Sequence, residues 1–267
     1  MCLDISFYSE LEQIDSFLPG LRSEDDFDFD PIAGAHVMAL GHKRYPVVLR
    51  EGDQYVRRGF EWGIIAEYMN TPEKVNQYRR SMVNARSEKL LGDKNSFWHR
   101  IRQTRCLIPV TGIYEHRAIN GWKNKVPYHI RLQQRPLFFL PGLYHYNVLR
   151  PSNPETGEMR GMFTLITRPA NEVMRQIHND GENAFRMPLF LPEALEQKWL
   201  SPNLSDAEMQ YILNFEMPAN QLEHWPVYSI RGRKPRPDGQ PPHTAFRYEL
   251  LPALGSDDAI APQISLF

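Results

Sequence analysis

The sequence contains only two cysteines, Cys2 and Cys106. Two are too few for a disulfide framework or a four-cysteine zinc site, and a single Cys2–Cys106 disulfide is disfavoured in a reducing compartment. An excess of charge of either sign is also lacking, since 31 Lys and Arg stand against 32 Asp and Glu for a formal net charge of -1. No whole-molecule field draws in polyanions, so any nucleic-acid surface must be local. No stretch approaches 18 apolar residues, and Met1–Tyr8 holds acidic Asp4 with no basic run before an apolar core. Neither a membrane span nor a signal peptide is expected, and the chain is expected in the cytoplasm with no membrane partner. Repeats of about 20 to 50 residues are missing too, which sets aside solenoids and propellers.

What is present is enough apolar material for a real core: 267 residues, 42% hydrophobic, fitting one large domain better than two small ones. Strand-like runs occur at Tyr45–Leu49, Cys106–Tyr114, Tyr128–Leu132, Leu137–Leu140, Met162–Thr167 and Met187–Leu191, bounded by Gly, Pro or charged turns. Thr71-Pro72-Glu73 starts a helix, with Val75, Tyr78 and Met82 at helical spacing, and Asn171–His178 carries a strand into another. Pro192–Leu200 puts Leu195 and Trp199 on one face, and Ser205 with Glu208 forms a capping box. The pattern predicts an α+β fold, a single domain over 1–251 with an antiparallel barrel-like sheet core and peripheral helices. Acidic Glu24–Asp30 and Arg231–Pro242 read as solvated loops, and 252–267 as a tail outside the core.

Cys2 follows the initiator Met, and removal of Met1 would leave an amine and a thiol on adjacent carbons. An α-amine has a pKa of about 7.7 to 8.0, so a usable fraction is neutral at pH 7 and attacks aldehydes. The neighbouring thiol then closes on the imine carbon, giving a five-membered thiazolidine at high effective molarity. Glu73–Arg105 carries nine Lys or Arg against three Asp or Glu. It is either a solvated face or a phosphate-binding stripe with Trp62, Tyr68, Phe97 and Trp98 for base stacking. Glu115 ends the apolar run from Arg105, as a general acid or base or a strand-end charge facing water. His178, ahead of Arg186-Met187-Pro188, is a proton shuttle or an ordinary helix C-terminal histidine.

Taken in order, these pieces resemble the SOS-response-associated peptidase (SRAP) domain, shared by bacterial proteins and a vertebrate abasic-site shield. The matching segments are Met1-Cys2, Glu61–Ile65, Asn84–Glu88, Arg105–Glu115, Phe163–Thr167 with Ala170-Asn171, and Ile177-His178 before Arg186-Met187-Pro188. The resemblance implies that Cys2 forms a thiazolidine with the aldehyde of an abasic site in single-stranded DNA, without cofactor or metal. It implies catalytic roles for Cys2, Asn84, Glu115 and His178, with Glu115 also assisting self-removal of Met1. Asn84 would position the N-terminal residue, Arg86 hold a phosphate, and Trp62, Tyr68, Thr167 and Arg186 complete the DNA-binding set. The protein would then associate with the nucleoid when bound to DNA.

Three departures from the family pattern bear on that expectation. Leu3 and Asp4 stand where members commonly carry Gly-Arg, Glu67-Tyr68 where many have Trp, and Asp180–Phe185 is inserted before Arg186. Asp4 is expected to repel a phosphate, Tyr68 to take over stacking, and the insertion to reshape the mouth of the site. Separately, Gln263-Ile264-Ser265-Leu266-Phe267 is similar to the bacterial sliding-clamp pentapeptide, with Gln263, Leu266 and Phe267 as clamp contacts; alternatively Leu266 and Phe267 pack back on the domain. Two other functions compete: a cysteine peptidase using Cys2 and His178, and a non-catalytic single-strand-binding module in which Cys2 is dispensable.

Overall fold

The computed structural model describes residues 2–23, 29–153, 158–232 and 236–256. Met1, most of the acidic run after Ser23, and the pentapeptide residues Gln263, Leu266 and Phe267 lie outside them.

The first strands are β1 (Asp4–Ser6), β2 (Arg22–Ser23), β3 (Val37–Met38), β4 (Arg44–Glu51), β5 (Gln54–Trp62), β6 (Asn84–Arg86) and β7 (Arg105–Val110), with β-branched and aromatic residues concentrated in β4 and β5. The remaining strands are β8 (Gly112–Arg117), β9 (Val126–Leu132), β10 (Phe138–Asn153), β11 (Glu158–Pro169), β12 (Arg186–Pro188) and β13 (Leu222–Pro226). Helices are short: α1 (Glu12–Phe17), α2 (Pro31–Gly34), α3 (Pro72–Tyr78), α4 (Glu88–Leu91), α5 (Phe97–Arg100), α6 (Glu172–Ile177), α7 (Glu193–Trp199) and α8 (Asp206–Asn214).

Two sheets share one apolar core. The first runs β13-β9-β8-β1-β3 and is antiparallel throughout. The second runs β12-β11-β10-β7-β4-β5-β2, and β11 also pairs with β5, so five strands close into a ring. The ring gives the expected barrel-like core, mostly antiparallel, although it closes through a parallel junction and β6 and β2 also add in parallel. All six residues of β7 are buried, the continuous burial of a strand covered on both faces.

The run Cys106–Tyr114, expected as one strand, is broken at Thr111. The Thr111 amide donates to Ser6 O at 2.7 Å, and Tyr8 N donates to Thr111 Oγ1. The chain thereby leaves the second sheet as β7 and enters the first as β8. Gly112 permits this, because a Cβ there would meet His129 Nε2 at 2.3 Å and Ile130 O at 3.0 Å. Glu115 is thus delivered to the edge where the N-terminal strand begins.

Helix starts follow their side-chain chemistry. Thr71 caps α3 ahead of Pro72, Asn171 caps α6, and Ser205 with Glu208 forms a complete capping box on α8. α3 stops at Tyr78 with no buried residue, and Met82, expected on its core face, lies in a following 3-10 turn. Trp199 anchors α7 by donating from Nε1 to Cys106 O and Gly142 O. Cys2 and Cys106 are both free thiols.

The segment expected to begin a tail at 252 is tied down. Buried Arg117 donates to Pro252 O at 2.8 Å, to Ala253 O at 2.6 Å and to Ser256 O, while Leu251 and Leu254 pack on the core. Among the described residues no helix is long and apolar enough to cross a membrane.

Candidate active site

β1 lies between β3 and β8, with Asp4 opposite Tyr114 and Ser6 opposite Gly112. The antiparallel register therefore runs the first residues back alongside Glu115 and His116. Asn84, the first residue of β6, donates from Nδ2 to Cys2 O at 2.8 Å. Its Oδ1 is buried and has no partner among the described residues. The Cys2 side chain is buried, with its thiol 3.6 Å from Asp4 O. Burial, and then the nearby Glu115 charge, raise the thiol well above the ordinary cysteine range.

Glu115 faces the same place from β8. Desolvation pushes its carboxyl up to about 8, and its Oε1 is buried without a partner, so at neutral pH it is largely a protonated acid. His178 caps the C-terminus of α6, and its Nε2 stands 4.0 Å from Glu115 Oε2. A carbonyl can only accept, so the 2.8 Å contact to Arg186 O places the ring proton on His178 Nδ1. Burial lowers the His178 pKa to about 4. The imidazole is therefore neutral at pH 7, and its basic Nε2 faces the protonated carboxyl across a gap longer than a hydrogen bond.

Both groups line a cleft of about 1260 Å³ together with Leu3, Asp4, His116 and Arg231. Asp180, Gly181, Glu182 and Asn183 also line it, so the insertion before Arg186 does form one lip of the mouth. The insertion ends at Phe185, whose φ of 61° is unusual for a non-glycine residue. That backbone is held at both ends: Phe185 N donates to His178 O, and Ala170 N donates to Phe185 O, each at 2.8 Å.

The remaining expected residues separate into those near the cleft and those away from it. Exposed Arg86 donates to Asn183 Oδ1 at 2.9 Å, next to the cleft lip. Arg186 forks onto Glu88 and donates to Thr167 O at 2.8 Å, while buried Thr167 lies with its hydroxyl 3.4 Å from the same guanidinium. Tyr68 is 46% exposed and packs edge-on to Tyr78. Trp62 is corrected as a base-stacking residue. It is 1% exposed, donates to Val83 O at 2.8 Å and stacks on Phe163 inside the core, so no ring face is open.

Two cleft features escaped sequence reading. Asp4, expected to repel phosphate, is buried, hydrogen-bonded to His36 Nε2 at 2.8 Å and ion-paired with Arg231. Arg231, assigned to a solvated loop, is that partner from 227 positions away, and no local pattern signals such a pairing. His116 beside Glu115 is held down to about 4 by burial; its alternation with Glu115 along a strand is too weak a signal to single it out.

Comparison with known proteins gives a consistent result. The family model described as SOS response associated peptidase (SRAP) matches residues 1–230. "Abasic site processing protein YoqW" of Bacillus subtilis is 28% identical over 236 residues, covering 86% of this chain and 93% of the relative. "Abasic site processing protein YobE" of the same organism is 27% identical over 237 residues, covering 86% and 95%. A crystal structure of a protein from Bacteroides thetaiotaomicron superposes with a TM-score of 0.71 at 27% identity, covering 91% of this chain and 97% of that one. A phage-related protein from Bordetella bronchiseptica, 20% identical with a TM-score of 0.61 over 85% and 95%, shares the fold.

Proposed function

The chain belongs to the SOS response associated peptidase (SRAP) family, and on that premise we propose that it processes abasic sites in DNA. In this reading Cys2, freed by removal of Met1, traps the ring-opened aldehyde in single-stranded DNA as a thiazolidine. The two relatives named for abasic-site processing support the substrate. The observation that carries the chemistry is Cys2, its carbonyl held by Asn84 and its thiol within range of the Glu115 charge, beside a cleft where protonated Glu115 and neutral His178 stand 4.0 Å apart.

Each group has a step suited to its protonation state. Neutral His178 takes the hydroxyl proton of the closed sugar at Nε2 and returns a proton to the ring oxygen as the anomeric C–O bond breaks. The amine of Cys2, positioned by the unpartnered Asn84 Oδ1, adds to the aldehyde carbon. Glu115 gives its proton to the departing hydroxyl, which leaves as water. The resulting carboxylate accepts the thiol proton as sulfur adds to the iminium carbon. The product lacks the carbonyl activation that drives β-elimination, so the strand is shielded. Glu115 is also the group we assign to self-removal of Met1. Stacking falls to Tyr68, with Arg86 and Arg186 for phosphates and Thr167 beside the lesion, and the base need not be flipped because there is none.

A cysteine peptidase requires a thiolate beside an imidazolium. Cys2 and His178 are instead both shifted toward their neutral forms, which favours the trap. In the same proposal the C-terminal Gln263, Leu266 and Phe267 dock on a replication sliding clamp, and replacing all three by Ala should abolish clamp binding in a pull-down with purified clamp. The trap itself is tested with untagged protein and an abasic-site oligonucleotide on a denaturing gel. The expected result is a heat-stable adduct that Cys2→Ala abolishes while weak binding persists. Unchanged adduct in Cys2→Ala overturns the proposal, and absence of adduct from the unsubstituted protein, with binding unaltered by Cys2→Ala, favours a plain binding module.

A further inference from the structure

Arg231 is built into the cleft wall in a way that a surface ion pair is not. Its Nε lies 3.2 Å from Asp4 Oδ1 and its Nη2 contacts Asp4 Oδ2, a two-point fork on one carboxylate. The carboxylate side chain is 2% exposed, whereas the arginine side chain is 42% exposed. Asp4 already has a second partner in His36 at 2.8 Å, so the arginine is not its sole source of compensation. Among the described residues the third guanidinium nitrogen, Nη1, has no partner, and Arg231 lines the same cleft as Glu115 and His178.

Position along β1 fixes where this cation sits. Asp4 is the first residue of β1 and Cys2 lies just before the strand, and two residues of chain span at most about 7 Å. A guanidinium pinned on Asp4 therefore lies within one nucleotide of an aldehyde held at Cys2. Its charge reaches the cleft wall, since Arg231 is among the groups acting on both Glu115 and His116. Holding the fork on a buried carboxylate also removes most of the rotamer freedom that an arginine otherwise loses on gripping a phosphate.

We infer that Arg231, pinned by Asp4 beside Cys2, binds a backbone phosphate flanking the trapped lesion and so positions the DNA in the cleft. This rests on the reading of the cleft as a DNA site, and it converts Asp4 from a repulsive group into the mount for a cation.

The test measures non-covalent binding of an abasic-site single-stranded oligonucleotide across a salt series, in a Cys2→Ala background that cannot crosslink. Arg231→Gln should weaken binding roughly ten-fold at low salt and flatten the slope of log affinity against log salt by about 0.7. Because Arg231→Gln leaves Asp4 less well compensated, the double variant Asp4→Asn/Arg231→Gln is measured beside it. That pair keeps the net charge and replaces the ion pair with a neutral amide contact, so an arginine that only supports the fold would leave its slope unchanged. Flattening in the double variant upholds the assignment, and an unchanged slope overturns it. Uptake of glycolaldehyde by the unsubstituted protein, followed by mass, reports on the Cys2 trap independently of any phosphate, so failure of the trap and failure of Arg231 are told apart.

Discussion

Glu115 and His178 sit in one pocket, yet burial drives their proton affinities in opposite senses, to about 8 and about 4. Adduct formation needs a neutral amine, with a pKa near 7.7 to 8.0, and a protonated Glu115. The rate should therefore rise toward pH 8 and fall above it, which a pH series of single-turnover crosslinking would measure. Glu115→Gln should lower that rate by about 100-fold and remove the alkaline fall. The stability consequence has a definite sign. Glu115 binds its proton more tightly in the folded chain, so its contribution is complete below the unfolded carboxyl pKa and is lost as pH rises through about 8. Wild-type stability should drop by at most about 1.4 kcal/mol per pH unit over that window relative to Glu115→Gln, as read from urea midpoints. His178 acts in the opposite sense, withdrawing stability as pH falls through 6.5 toward 4. The sequence named these residues by resemblance and by their place after an apolar run, but their protonation states come from burial, which no local pattern encodes.

Among the elements, start signals were legible and junctions were not. The Ser205–Glu208 box and the Thr71-Pro72 start are local chemistry, and both occur as read. Ser205→Ala should cost about 1 kcal/mol in urea unfolding. β5, Gln54–Trp62, was missed because its burial alternates irregularly and Arg57 and Arg58 interrupt it; its identity as a strand comes from β4 and β11 on either side. The β7–β8 break was invisible for a similar reason, since only the tertiary approach of His129 explains Gly112. Gly112→Ala should destabilise the fold by about 1–3 kcal/mol through overpacking, detectable as a lowered denaturant midpoint.

At the scale of the molecule, two long-range cations bridge segments far apart in sequence: Arg117 holds 252–256, and Arg231 meets Asp4. The mixed α+β class and single apolar core followed from strand and helix punctuation. The closure of five strands into a ring through a parallel junction did not, because pairing partners far apart in sequence leave no periodic trace. The same holds for the cleft, whose walls come from both ends of the chain. What unites fold and proposed chemistry is the return of the first strand to the edge carrying Glu115. The most direct test is peptide mapping by mass spectrometry of the purified conjugate with an abasic-site strand. The account predicts an N-terminal peptide that begins at Cys2, lacks Met1, and carries the sugar on both nitrogen and sulfur. A conjugate attached elsewhere, or one in which Met1 is still joined to Cys2, would contradict it.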